Sequence, residues 1–432
     1  MGAGGTPDPP LADPLPPLRA PLLDRLSRCV HPPAVRVPSP FRGLPARFWW
    51  IWAGMFLSAL ATFVFLFLAV YLTSRGFPPQ QVGLVAAGFG LGTLAAGPIG
   101  GTLADRWGRR PTLLAALVVD AAFASVLAFA RAPALITAAV FGFGVAATSV
   151  FPALHSAVGD LVPEPDRPRA FGLLYWANNV GIAFSAVVGG AVGERSWVAL
   201  FLADATMTLL FALVVWRKVP ETRPAPATTA GLAGADRGWG AVLRDRPFVA
   251  FVTLFVLFLT VFFQFQVSAP IAMLGSGLRP AQIGRILAVN GLLIGTLQPF
   301  AARVFQGRDR GRVLALGALL VGLGYGAYAL CTTVPQYALA TAVWTLGEIT
   351  SLPTAVALVA DLAPPDLRGR YNGAYGLSFG AGQTLAPLAG GALLARAGAT
   401  ALFAGCLAAS VGVAAGHLAL GAARRARAAR PG

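Results

Sequence analysis

Three acidic residues lie deep inside apolar stretches of this 432-residue chain: Asp120, Asp204 and Glu348. Glu348 occupies the run Trp344-Thr-Leu-Gly-Glu-Ile-Thr-Ser-Leu-Pro353, about as far from water as any position in the sequence. An ionisable group at such depth is costly enough to count as a functional candidate by default. Burial disfavours the charged carboxylate, which suits a group that takes up and releases a proton; a hydrogen bond between helices is the competing reading. Asp120 and Asp204 are candidates for a second protonation site or for a partner to a cationic substrate. Asn178, Asn179, Gln264, Gln266, Asn290 and Gln383 are neutral donors and acceptors suited to lining a cavity, or equally to bonding one helix to the next.

Other chemistries find little support. Cys29, Cys331 and Cys406 are far apart and form no Cys-x-x-Cys or Cys/His spacing, which argues against a disulfide framework or a metal site. Lys218, the single lysine, has no glycine-rich lead, so a Walker-type phosphate loop is excluded. His155 and Asp160 have a spacing that could serve general-base attack on a hydroxyl. An internal repeat, described below, places Val356 opposite His155 while keeping the aspartate, which removes that reading. No enzyme, metal or cofactor is expected, and a proton gradient is the natural energy source.

The elements that must position these acids are membrane helices. The chain is 56% hydrophobic and 12% charged, with mean hydropathy +0.69; soluble domains carry about 25% charged residues. From Phe48 onward it reads as twelve apolar spans, each near the ~20 residues needed to cross ~30 Å of hydrocarbon. They fall at 48–73, 82–104, 111–130, 133–158, 170–192, 197–216, 247–273, 281–303, 312–331, 335–361, 371–394 and 399–421. The expected fold is all-α and polytopic, with two pseudo-symmetric six-helix bundles at 47–216 and 247–422. A proline-rich tail, 1–46, reads as disordered, 217–246 as the linker, and 423–432 as a basic tail. The net charge of +16 would suggest nucleic acid in a soluble protein, but here its distribution is topological. With the N-terminus inside, 27 of 33 cations fall on the cytoplasmic side. The expected partners are therefore the bilayer, protons and a small-molecule substrate, with the chain a monomer in a plasma or inner membrane.

The halves repeat at an offset of 201. Pro152, Asp160, Leu161, Pro163, Arg167, Arg169, Gly172, Gly181, Gly189 and Gly190 match Pro353, Asp361, Leu362, Pro364, Arg368, Arg370, Gly373, Gly382, Gly390 and Gly391. Parallel duplicated halves are the pattern of two-bundle transporters, whose substrate site lies at the repeat interface near the midplane.

Between spans two and three stands Gly101-Thr-Leu-Ala-Asp105-Arg106-Trp-Gly108-Arg109-Arg110, echoed between spans eight and nine by Asp309-Arg310-Gly311-Arg312. This loop resembles the signature of the major facilitator superfamily, and the resemblance extends over all twelve spans. It implies alternating access, with Asp105 and its arginine neighbours latching the cytoplasmic side of the outward-facing state. The loops Asp160…Arg167-x-Arg169 and Asp361…Arg368-x-Arg370 resemble the superfamily's paired salt-bridge loops, with a structural or gating role. Glu348 ahead of Pro353 resembles the proton-driven drug exporters, which implies efflux of small lipophilic molecules. Their Gly-Pro-x-x-Gly-Gly element is incomplete here, since Ser185-Ala186 stands in place of Gly-Pro before Gly189-Gly190. The alternative is uptake or export of a polar metabolite such as a sugar or organic anion.

Overall fold

The computed structural model describes residues 1–2, 43–222, 239–305 and 307–428. Most of the proline-rich tail, the middle of the linker and the last four residues of the basic tail lie outside the described residues, as does the Asp105 side chain. Leu44–Gly432 form one compact unit, and every regular element among the described residues is helical.

Spans two to six are single helices, Pro79–Trp107, Arg109–Phe129, Pro133–Leu161, Arg167–Gly193 and Trp197–Lys218; spans eight to ten are Pro280–Phe305, Arg310–Tyr328 and Val334–Leu362. Spans eleven and twelve run together as Arg368–Ala428, interrupted at Gly398, where φ is 78° and ψ 177°. A residue with a Cβ is strained at that positive φ, so glycine marks the reversal between the two crossings. The helix of span twelve continues through Arg425 to Ala428, so the expected separate basic tail is largely the last turns of that helix. Cations there complement the negative end of the helix dipole.

Spans one and seven depart from the expected continuous helices. Span one consists of Ala46–Ala59 and Phe63–Ser74, and span seven of Arg246–Phe262, a 3-10 turn at Phe263–Gln266, and Ser268–Gly275. The two breaks fall at equivalent places in the repeat, since Phe63 and Gln264 are 201 residues apart. Neither Leu60, Ala61 nor Thr62 is a helix breaker. The break is held open instead from another span: Asp204 Oδ2 accepts from the backbone N–H groups of Phe63 and Val64, both at 2.8 Å. In span seven the Tyr325 hydroxyl donates to the Phe262 carbonyl at 2.6 Å. Helix ends leave backbone groups without intrahelical partners, and here distant side chains satisfy some of them.

In span seven Phe248, Phe251, Phe255 and Phe258 are 0–3% exposed and stack within the core, whereas Phe262, Phe263 and Phe265 line the cavity described below. At the start of span one Trp50 is exposed, while Phe48 is buried and the Trp52 indole N–H donates to the Leu173 carbonyl.

The halves meet along two seams. Span two packs on span eleven, and span five on span eight. Gly83, Gly90 and Gly97 recur at intervals of seven on span two. The first two abut the backbone of span eleven at Pro387 and at Gln383–Thr384 so closely that a Cβ would overlap it, yet nothing lies within 4 Å of a Cβ at Gly97. The other seam repeats this pattern, with Gly284 against Ala186 and Gly291 against Asn179, while Gly172, farther along span five, has open space. Both seams are thus closed at the end away from the arginine-rich loops, while Gly97 and Gly172, nearer those loops, have open space beside them.

Candidate functional site

Between the two halves lies a cavity of about 450 Å³. All three intramembrane acids line it: Asp120 from span three, Asp204 from span six and Glu348 from span ten. Asn178, Asn179, Asn290 and Gln383 line it too. Gln264 and Gln266 do not. Gln264 donates to the carbonyls of Thr260 and Ala386, tying span seven to span eleven, and Gln266 faces a separate small pocket beside Val64 and Val267. Of the 3-10 turn Phe263–Gln266, it is Phe263 and Phe265 that line the cavity.

Each acid has its own surroundings. Glu348 Oε2 accepts from the Asn290 amide at 2.7 Å, and the same amide reaches Thr345 Oγ1 at 3.1 Å. Asp204 caps the second helix of span one, as described above. Asp120 is 7% exposed, and its Oδ1 has no protein hydrogen-bond partner. No arginine, lysine or histidine is among the lining residues. The remaining wall is largely aromatic and comes from both halves, including Phe65, Phe89, Phe143, Phe265, Trp344 and Phe379. Sequence reading missed most of these, because lone phenylalanines in apolar helices carry no mark of the direction they face. Tyr175 and Thr208 were also missed; each lies one helical turn from a residue that was singled out, Asn179 and Asp204 respectively.

The arginine-rich loops form a second constellation. Arg109 Nε lies 3.5 Å from Asp160, and Arg310 makes a two-point contact with Asp361 at 2.5 and 3.0 Å. Both arginines and both aspartates are separated by 201 residues, so the same residue pairing is built twice, as a single ion pair in the first half and a two-point contact in the second. This shifts the expected echo. Asp309 does not take the place of Asp105; it sits at the N-cap of span nine, accepting from the Arg312 N–H at 2.9 Å, where Gly108 stands before span three. With no side chain at Gly108, Glu221 from the linker reaches the first turn of span three and accepts from the backbone N–H groups of Arg109 and Arg110. Arg110 donates to the Trp216 carbonyl, and Arg425 meets Asp309 at 2.6 Å. Arg167 bonds the Val162 carbonyl and Arg169 pairs with Asp166, while Arg368 is exposed and Arg370 is half-buried. Gly101 is open to one side, and Arg106 is exposed at the end of span two. Gly311 packs on His417.

Three outcomes follow from this geometry. Gly108 has φ 109°, and a Cβ there would overlap the Glu221 carboxylate. Gly108→Ala is therefore expected to lower stability by about 1–3 kcal/mol through backbone strain and loss of the cap, read as a lower unfolding midpoint in detergent. Asp309→Ala should cost about 1 kcal/mol as a lost N-cap. The half-exposed Arg310–Asp361 pair is worth less, within about 1 kcal/mol, which a double-mutant cycle would measure.

The family model of the Major Facilitator Superfamily matches residues 51–304 and 268–431. The chain is similar to a Na(+), Li(+), K(+)/H(+) antiporter of Planococcus maritimus, 26% identical over 365 residues that cover 77% of this chain and 86% of that protein. It is 28% identical over 304 residues to the multidrug resistance protein MdtH of Enterobacter sp. (strain 638), covering 68% of this chain and 73% of the relative. Among solved structures, the nucleoside transporter NupG aligns with TM-score 0.75 at 13% identity, covering 87% of this chain and 99% of that one. The human organic anion transporter MFSD10 aligns with TM-score 0.64 at 18% identity, covering 86% and 100%. At these identities the structural likeness speaks for the fold alone. The fold, the duplicated loops and the family match together make this chain a member of the major facilitator superfamily, a multi-pass membrane transporter and not an enzyme.

Proposed function

We propose that the protein exports small, largely lipophilic molecules in exchange for protons, by alternating access, with both termini and the arginine-rich loops on the cytoplasmic side of a plasma or inner membrane. In that orientation the seams close the outer end, and the structure is the form open toward the cytoplasm.

The observation that carries the reading is the cavity. Its wall is aromatic and apolar, suited to lipophilic cargo, and its three carboxyl groups face no basic residue among those lining it. Buried charge without a counter-charge is unfavourable, so such acids are neutralised by protons or by cationic cargo. An organic anion would find no positive partner there, which weighs against the polar-anion alternative. The names of two relatives, a proton-exchanging antiporter and a multidrug resistance protein, agree with the reading.

A flux assay in everted vesicles, with a panel of lipophilic cations and neutral compounds, tests it. Uptake into the vesicles should follow an imposed proton gradient and collapse with a protonophore; flux indifferent to the gradient would remove the coupling. Asp105→Asn in the same assay should slow transport while leaving the protein folded, as the latch role requires, and an unchanged rate would remove that role.

A further inference from the structure

The three acids of the cavity are not duplicated with the fold. At the repeat offset of 201, Asp120 and Asp204 correspond to Val321 and Gly405, and Glu348 corresponds to Ala147. The N-terminal half therefore holds a carboxyl pair where its partner half has none. Asp120 and Asp204 line the same cavity from spans three and six, which pack on each other, and both are more than nine-tenths buried. Asp120 Oδ1 has no protein partner although it lines the cavity. A buried polar atom left without a partner costs free energy that an occupant recovers.

We propose that Asp120 and Asp204 form a binding site for one compact monovalent cation, separate from the Glu348–Asn290 pair, and that Asp204 transmits its occupancy to the broken helix of span one. The inference rests on the transport reading only in taking the cavity as the path of the cargo. Thr208, 2% exposed and one turn from Asp204 on the same helix, adds a hydroxyl to the same wall, so the two carboxyl groups and this hydroxyl offer oxygen donors. Hard oxygen donors suit alkali ions or an ammonium group rather than soft metals. The charge balance favours one positive charge. Asp204 already faces two backbone N–H groups at the positive end of the helix Phe63–Ser74, which offsets part of its own charge and leaves Asp120 as the main uncompensated carboxylate. The same two hydrogen bonds connect the site to conformation: a cation drawing on the Asp204 carboxylate changes its hold on the N–H groups of Phe63 and Val64, and so the set of the span-one break. Glu348 and Tyr175, on spans ten and five, are the other ionisable groups lining the cavity.

The test uses the purified full chain in detergent at constant ionic strength and pH 8. Na⁺, K⁺ or a primary alkylammonium replaces N-methyl-D-glucamine in each arm. A saturable rise in the unfolding midpoint of at least ~2 °C is expected in one or more arms, with slower amide exchange across residues 60–66. A response to Na⁺ or K⁺ assigns the site to an inorganic ion; a response to the alkylammonium alone assigns it to the head of a cargo. Glu348→Gln should keep the response, which separates this site from the proton-coupling reading, whereas Asp120→Asn should abolish it. Asp204→Asn, whose amide oxygen can still cap the helix, should fold and lose at least ~10-fold in apparent affinity, about 1.4 kcal/mol. Absence of any cation-specific shift in the wild type, or a full shift in Asp120→Asn, overturns the proposal.

Discussion

Glu348→Gln is expected to abolish proton-driven flux while leaving the protein folded. Glutamine preserves the length of the side chain and can still present an oxygen to Asn290, so the 2.7 Å hydrogen bond to span eight has a substitute. What glutamine cannot do is exchange a proton. The position is 7% exposed in the wall of the cavity, where no basic residue offers a fixed counter-charge. Gradient-driven transport should therefore fall by at least ~10-fold, equivalent to about 1.4 kcal/mol, while downhill exchange of a lipophilic substrate between the two sides persists. Measuring both modes in one vesicle preparation separates coupling from folding. A variant that still pumps against a gradient would remove Glu348 from the coupling role.

The second large effect is expected at the seams. A Cβ at Gly284 would overlap the Ala186 carbonyl, and the Cα of Gly190 lies 3.3 Å from the same point. Backbone is the obstacle, so no rotamer change relieves it. Gly284→Leu should therefore open the sealed end. Overpacking of this kind costs about 1–3 kcal/mol, and a conformational bias of that size shifts a two-state equilibrium by roughly 5–150-fold. A cysteine placed at Ala183, which is 3% exposed on the facing helix, should become several-fold more reactive to an impermeant maleimide applied at that end, and transport should fall. Unchanged labelling together with unchanged transport would mean that this contact is not part of the gate. By contrast, bulk at Gly97 on span two meets open space and should leave this structure undisturbed.

These effects differ in how far the sequence foretold them. Glu348 was conspicuous because a charge in an apolar run stands out in one dimension. The bond between Arg109 and Asp160 was not, although both residues had been singled out, because they lie in different loops joined by two spans. Its twin, Arg310–Asp361, shows what alignment of the short echo obscured: matching Asp309 to Asp105 by residue type misses that Asp309 stands at a helix N-cap. The break in span one had no local signal at all. Leu60-Ala61-Thr62 reads as ordinary helix, and the cause is a carboxylate from a residue 140 positions away. Gln264 and Gln266 read equally as cavity-lining groups or as bonds between helices, and the fold decided: Gln264 bonds span seven to span eleven, and neither lines the cavity.

By itself, the sequence determined that the chain crosses a membrane repeatedly, that its halves are copies, and that its superfamily loop lies between spans two and three. Each of these is written in contiguous residues, as length and apolarity matched to hydrocarbon thickness, a constant offset, and a local motif. The tertiary structure alone decided which acids share one cavity, which are capped and which stand unpartnered, and which end is sealed. Those depend on helix rotation, on breaks and on glycine contacts, all set by packing between residues that the sequence keeps far apart.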